Sequence, residues 1–268
     1  MNIILTKDEL ADLVAHYLSQ PAFAFDVETW GEHRGSPVRN DVLWISLATE
    51  DRVDVIPMGH PNGEFTHWEK PLLAEGKRRK DKGLPLRDPQ DYSSKQDLWT
   101  PHFTEPPEQL SPGEVFSALR PLFFGDALKI GHNIKFDLKS VAKYFRGEVP
   151  SRPHFDTLTA AFIIDNRTKH GLGLDDCAKR ELGIEVKKGI GKYVERHTFD
   201  DVATYSALDA EATYALYKIY RERIIAKDLT AVWDLEMDVL AFFVTWNLPG
   251  PPLTREGFRN YIEKYRKI

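Results

Sequence analysis

The sequence predicts an α/β fold: a mixed β-sheet flanked by helices, with a small helical appendage at its C-terminal end. Two observations carry this. Residues 22–57 hold three short apolar runs bounded by turn residues, the pattern of a strand meander. From residue 111 onward, segments with apolar residues at helical spacing alternate with a strand-like run.

Composition narrows the classes. The 268 residues suffice for one large domain, or one domain with an appendage. The net charge of −5 gives no overall basic signature for nucleic acid, although local patches can still bind it. A single cysteine, Cys177, rules out an internal disulfide framework and fits a reducing cytosol. No apolar run approaches the roughly 20 residues that cross a bilayer, and no signal-peptide pattern opens the chain, so no membrane partner is expected.

Asn2–Leu5 reads as a short strand. Thr6 and Glu9 have capping-box spacing, and Leu10, Leu13, Val14, Tyr17 and Leu18 follow at helical spacing until Gln20-Pro21. The strand Ala22–Val27 comes next, within Phe23-Ala24-Phe25-Asp26-Val27-Glu28-Thr29. Residues two apart on a strand share a face, so Asp26 and Glu28 point the same way. Two adjacent carboxylates raise each other's pKa unless a cation lies between them, and oxygen ligands suit Mg²⁺ or Mn²⁺. For an isolated Asp-x-Glu, two solvated acids at a strand end is the plainer reading; the rest of the chain reverses it.

Val42–Ala48 and Val53–Pro57 complete an antiparallel meander. Residues 58–110 are polar, rich in Pro and Gly, and without sustained periodicity: an insertion. Its basic run Lys77–Lys82 reads equally as a solvated loop or a nucleic-acid contact, and its scattered aromatics suggest docking on the body.

Ser111, Pro112 and Glu114 open a helix with Val115, Phe116, Leu119 and Leu122 on its apolar face. Ala127–Asn133 reads as a strand running into a helix that turns Phe136, Val141, Tyr144 and Phe145 inward. Asn133 and Asp137, four apart, are expected on one helix face. Asp156 is expected to cap a helix through Ile164, and His154 to serve a loop or packing role. A further helix spans Leu174–Leu182. Glu185–His197 is basic and Gly-bearing, either a surface loop or a clamp on a phosphate backbone through Lys187 and Lys188. Thr198 starts a long helix on which Tyr205 and Asp209 share a face, while Glu211 looks elsewhere. Aspartate in mid-helix costs several tenths of a kcal/mol relative to alanine, and a locally disfavoured residue without local gain is what a site residue looks like.

Three of these stretches, in order, resemble the motifs of the DEDD 3′→5′ exonucleases: Asp26-Val27-Glu28-Thr29, then Gly131-His132-Asn133-Ile134-Lys135-Phe136-Asp137, then Tyr205-Ser206-Ala207-Leu208-Asp209. Tyrosine four before the last aspartate matches the tyrosine variant; the histidine variant would want His where Thr204 stands. Residues 1–222 are most similar to the proofreading domain of family A DNA polymerases, the bacterial DNA polymerase I type, and Asp156-Thr157-Leu158, Leu174-Asp175-Asp176 and Thr198-Phe199 also match. Residues 223–268, with a helix beginning at Asp234–Leu240, a break at Leu248–Pro252 and a cap at Thr254, resemble the segment through which those polymerases enter the polymerase domain. The absence of a 5′-nuclease segment before residue 1 looks like phage polymerases.

The resemblance implies a ribonuclease H-like fold and two-metal hydrolysis of DNA 3′ ends, single-stranded or frayed, releasing nucleoside 5′-monophosphates in a proofreading role. Two divalent cations, Mg²⁺ or Mn²⁺, would be held by Asp26, Glu28, Asp137 and Asp209. Asp26 would bridge both, Glu28 and Asp209 would complete the tighter site, and Asp137 would hold the second ion. The Tyr205 hydroxyl would orient the attacking water. Thr29 and Trp30 would approach the terminal nucleotide, with packing preferred over base stacking for Trp30, and Asn133 would either support the site from behind or contact the strand. The partners would be a single-stranded DNA 3′ end and a polymerase domain in cis or in trans. Two other readings are an RNA exonuclease similar to ribonuclease D, which the polymerase-like tail opposes, and a DNA-holding module without catalysis, which the intact acids and tyrosine oppose.

Overall fold

The computed structural model describes residues 1–31, 36–69, 100–165, 171–184, 190–191 and 193–246. Its centre is a mixed six-stranded sheet in the order β1-β4-β3-β2-β7-β8. The strands are β1 (Asn2–Ile3), β2 (Ala22–Trp30), β3 (Asp41–Ala48), β4 (Val53–Pro57), β7 (Leu128–Gly131) and β8 (His154–Asp156). β2, β3 and β4 form the expected antiparallel meander, whereas β1 pairs β4, β7 pairs β2 and β8 pairs β7 in parallel.

Helices cover both faces. Helix α1 (Lys7–Leu18) opens on the Thr6–Glu9 capping box and α2 (Pro112–Phe124) on the Ser111–Glu114 box; in each, the side chains and backbone amides satisfy one another reciprocally. Then follow α3 (Lys135–Ala142), α4 (Thr157–Ile164, capped by Asp156), α5 (Leu174–Leu182), α6 (Phe199–Ala226) and α7 (Thr230–Trp246).

The alternation along β2 assigns the faces. Phe23, Phe25 and Val27 enter one apolar cluster with Leu13 and Tyr17 of α1, Phe116 and Phe123 of α2, Leu138 of α3 and Met237, Leu240 and Val244 of α7. Ala22 and Ala24 enter another, with Ile130, Phe155, Ala160, Cys177, Ala210 and Tyr220. Asp26 and Glu28 continue the Ala24 row, so they face the side that α6 covers.

Several expectations need correction. The insertion is structured at its root. Met58, His60 and Asn62 are buried, and β5 (Phe65–Glu69) pairs antiparallel with β6 (Thr100–Phe103). The Gln109 carboxamide closes this root, accepting from the Gly59 and His60 amides at 2.8 and 2.9 Å and donating to the His60 carbonyl at 2.9 Å. These contacts span some fifty residues of sequence, which is why local pattern showed only a loop. His154 is buried, in keeping with a packing role, but it lies in strand β8, opposite Lys129, and not in a loop. Helix α7 begins at Thr230 rather than Asp234, and it contributes to the main core. The expected boundary at 222/223 falls inside α6. Lys77–Lys82, Leu248–Pro252 and Thr254 lie outside the described residues. Among the described residues, no helix is long and apolar enough to cross a membrane.

Candidate active site

The site forms where β2 loses a neighbour. β7 pairs with β2 only along Ala22–Ala24, ends at Gly131, and the chain turns at once into α3. This turn needs its glycine: a Cβ on Gly131 would lie 2.6 Å from Ile134 Cγ1. Asn133 takes up the left-handed conformation, φ 58°, and its amide donates to Asp156 Oδ1 at 2.7 Å. Asn133 thus precedes the helix, and the expectation that it shares a helix face with Asp137 does not hold. The reason is the tight turn, which periodicity cannot register.

Beyond Ala24, the β2 edge facing α3 is free of strand pairing. There the Val27 amide donates to Asp137 Oδ1 at 3.2 Å, and Asp137 is only 3 % exposed. Asp26, Glu28 and Asp209 each offer a carboxylate oxygen within 4.8 Å of the others. Asp209 and Tyr205, one turn apart on α6, face each other and interact electrostatically. Three elements, β2, α3 and α6, therefore deliver four acids and a tyrosine to one place.

Burial raises all four carboxyls. Asp26 is pushed up to about 7 and Asp209 to about 8, the latter also by the Asp26 charge. Glu28 and Asp137 rise well above the carboxylate range through burial first, then the charges of their neighbours. Burial, followed by the charges of Glu28 and Asp209, also raises Tyr205, which stays a neutral phenol. Such a cluster fits hard divalent cations: the donors are all oxygen, and Asp209 Oδ1 is buried without a hydrogen-bond partner.

The contacts expected for nucleic acid divide. Thr29 and Trp30 continue β2 past the acids, across an irregularity between Glu28 and Thr29. Trp30 is 50 % exposed, against the expected packing role, because the strand runs out beyond the core. Asn133 is exposed. Lys187 and Lys188 lie outside the described residues.

Sequence reasoning missed Gly191. A Cβ there would meet Tyr205 Oη at 2.8 Å and Glu28 Oε2 at 3.3 Å. It also missed His132, whose ring links β7 to α4 and the segment before α5, 2.9 Å from both Thr157 Oγ1 and the Leu172 carbonyl. No local pattern marks either residue, since each acts across the fold.

Residues 96–225 match a family model described as a 3′–5′ exonuclease. These matched residues, just under half of the chain, are similar to a 3′–5′ exonuclease domain. Asp137, Tyr205 and Asp209 fall within the matched residues. Along 97 % of its length, the chain is 26 % identical to a DNA polymerase I of Chloroflexus aurantiacus. It is 29 % identical over 115 residues to a DNA polymerase I of Borreliella burgdorferi. It spans less than a quarter of the length of these relatives, 23 % and 12 %.

Solved structures share this fold. One is Escherichia coli RNase D, an exoribonuclease involved in structured RNA processing (TM-score 0.56, 16 % identity, 90 % of this chain and 49 % of that one). Another is Brucella melitensis NrnC with bound Mg²⁺ (TM-score 0.56, 16 % identity, 91 % and 89 %). The chain thus shares an α/β, ribonuclease H-like fold with these structures.

Proposed function

We propose that the protein removes nucleotides from the 3′ end of single-stranded or frayed DNA, releasing nucleoside 5′-monophosphates, and that it serves as the proofreading part of a phage-type DNA polymerase. The observation that carries the chemistry is the convergence of Asp26, Glu28, Asp137 and Asp209 around Tyr205. Two divalent cations, Mg²⁺ or Mn²⁺, would offset charge on the attacking and leaving oxygens of the phosphodiester. Asp26, Glu28 and Asp209 would hold one of them, with Asp26 shared and Asp137 on the second. Val27 holds Asp137 in place through its amide. The Tyr205 phenol, kept protonated by its buried, acidic surroundings, donates or accepts a hydrogen bond to orient water and does not act as a base. Trp30, exposed at the rim, offers a face on which a terminal base can stack.

The DNA reading is supported by the DNA polymerase I relative that spans 97 % of the chain. RNA as substrate is the second reading, favoured by the fold shared with RNase D. Matched labelled DNA and RNA oligonucleotides, incubated with Mg²⁺ or Mn²⁺, separate the two. Faster digestion of the RNA would reverse the substrate assignment. Undiminished digestion by Asp26→Ala would sink the catalytic one.

A further inference from the structure

We propose that Asn62 and Gly191 are positioning residues for Tyr205: a strap at the root of the 58–110 insertion fixes the turn into α6, and that turn seats Gly191 against the tyrosine hydroxyl. This rests on the reading of Tyr205 as the group that orients water. It also gives the insertion root a task in the reaction, without contact to the substrate.

The strap is Gly59–Gly63, and its contacts all converge on one turn. The Asn62 side-chain nitrogen donates to two backbone carbonyls, those of Glu195 and His197, both at 2.9 Å. His60 Nε2–H reaches the same His197 carbonyl at 3.2 Å. The Phe199 amide donates to the Gly63 carbonyl at 3.3 Å. The His60 ring packs edge-on against Trp44 and Phe199, with centroids 5.4 and 6.0 Å apart. Burial pushes its pKa down to about 4, so this neutral donor persists across the neutral range. One residue further, Thr198 caps α6 by accepting from the Asp201 amide.

The turn so fixed reaches the active site from its other end. Ile190 and Val194 are buried in the cluster that holds Trp44, Phe199, Val202 and Ala203. Gly191, between them, meets Tyr205 with nothing but backbone. An added Cβ would be 2.8 Å from the hydroxyl oxygen and 3.2 Å from Cε1, inside contact distance. Gly191 has no left-handed φ, so the glycine is required for space. The tyrosine is therefore bracketed by Asp209 on its own helix and by this backbone wall, and the strap sets where the wall stands.

The test uses the full chain and a labelled single-stranded DNA with Mn²⁺. We expect Gly191→Ala to lower kcat about tenfold or more, with KM within about twofold of wild type. In a Tyr205→Phe background the same change should cost less than about twofold, because the atom met at 2.8 Å is gone. Asn62→Ala should lower kcat in the same sense and speed hydrogen exchange at amides 193–199. It keeps the test open if Gly191→Ala fails to fold. A calorimetric Mn²⁺ titration of Asn62→Ala, which leaves the space beside Glu28 Oε2 unchanged, should match wild type. Wild-type kcat in Gly191→Ala, an equal loss in both backgrounds, or wild-type exchange in Asn62→Ala overturns the proposal. If the wild-type protein hydrolyses nothing, the functional reading fails, and the exchange measurement alone then decides whether Asn62 fixes the turn.

Discussion

The Val27 amide donates to Asp137 Oδ1 across 3.2 Å, so the residue between the two acids of β2 anchors the acid of α3. One backbone group thereby ties the first and second motifs together over 110 residues of sequence. Asp137→Asn keeps an oxygen for that amide but removes the charge. It should fold as wild type and lose activity about a hundredfold or more. Asp137→Ala should also lose roughly 1–3 kcal/mol of stability, because the buried amide is left unpaired. Urea unfolding of the two variants, side by side, checks this; equal stability would show that the Val27 bond contributes nothing.

The carboxylate cluster sets charge against burial, so neutralising Asp209, which anchors no backbone amide, should help the fold while harming the enzyme. Asp209→Asn in chelator is expected to melt a few degrees above wild type, since repulsion with Asp26 and Glu28 is relieved. Its exonuclease rate should fall by orders of magnitude. A lower melting temperature in chelator would contradict the electrostatic account.

The same raised carboxyls give a pH dependence with a definite sign. Asp26 moves from 3.8 to about 7 and Asp209 from 3.8 to about 8 on folding. Between those limits the folded state holds more protons than the unfolded state, so metal-free stability falls as pH rises from about 4 to about 8. It is least diminished below pH 4 as far as these groups are concerned. Saturating Mg²⁺ or Mn²⁺ should flatten the slope, because a bound cation takes the place of the protons. Melting curves at pH 5 and pH 8, with and without the cation, measure it; a metal-free protein more stable at pH 8 would refute it.

Helix α7 belongs to the same core as β2. Leu240 is 8 % exposed and shares a cluster with Phe23, Phe25 and Leu138. Leu240→Ala should cost about 2–5 kcal/mol, and a chain cut after Ala226 should unfold more readily still. Chemical denaturation decides; a truncated chain of wild-type stability would make α7 an appendage after all.

Much of the fold was legible where sequence dictates locally. Both capping boxes, the β2–β3–β4 meander and the Asp156 cap follow from residues within a few positions of one another. The acids of the site were legible for the same reason: Asp26 and Glu28 share a strand face, and Tyr205 and Asp209 share a helix face. What local pattern could not carry was contact at a distance. Asn133 leaves the helix because Gly131 and Asp156 reshape the turn before it. The insertion root looked featureless because Asn62 finds its partners more than 130 residues away. Trp30 read as packed because an aromatic next to a core strand usually is, and only the end of the sheet shows otherwise.

The row assignment along β2 restricts how this strand can change over time. Its phenylalanines and its acids occupy alternate positions, with a core behind one row and the acidic cluster before the other. Gain or loss of a single residue upstream of Asp26 would turn the acids toward Phe116 and Phe123 and present Phe25 to the cluster. Descendants of this chain can therefore exchange residues in β2 but cannot alter its count, and the spacing from Phe23 to Glu28 should be frozen while the loops on either side lengthen and shorten freely.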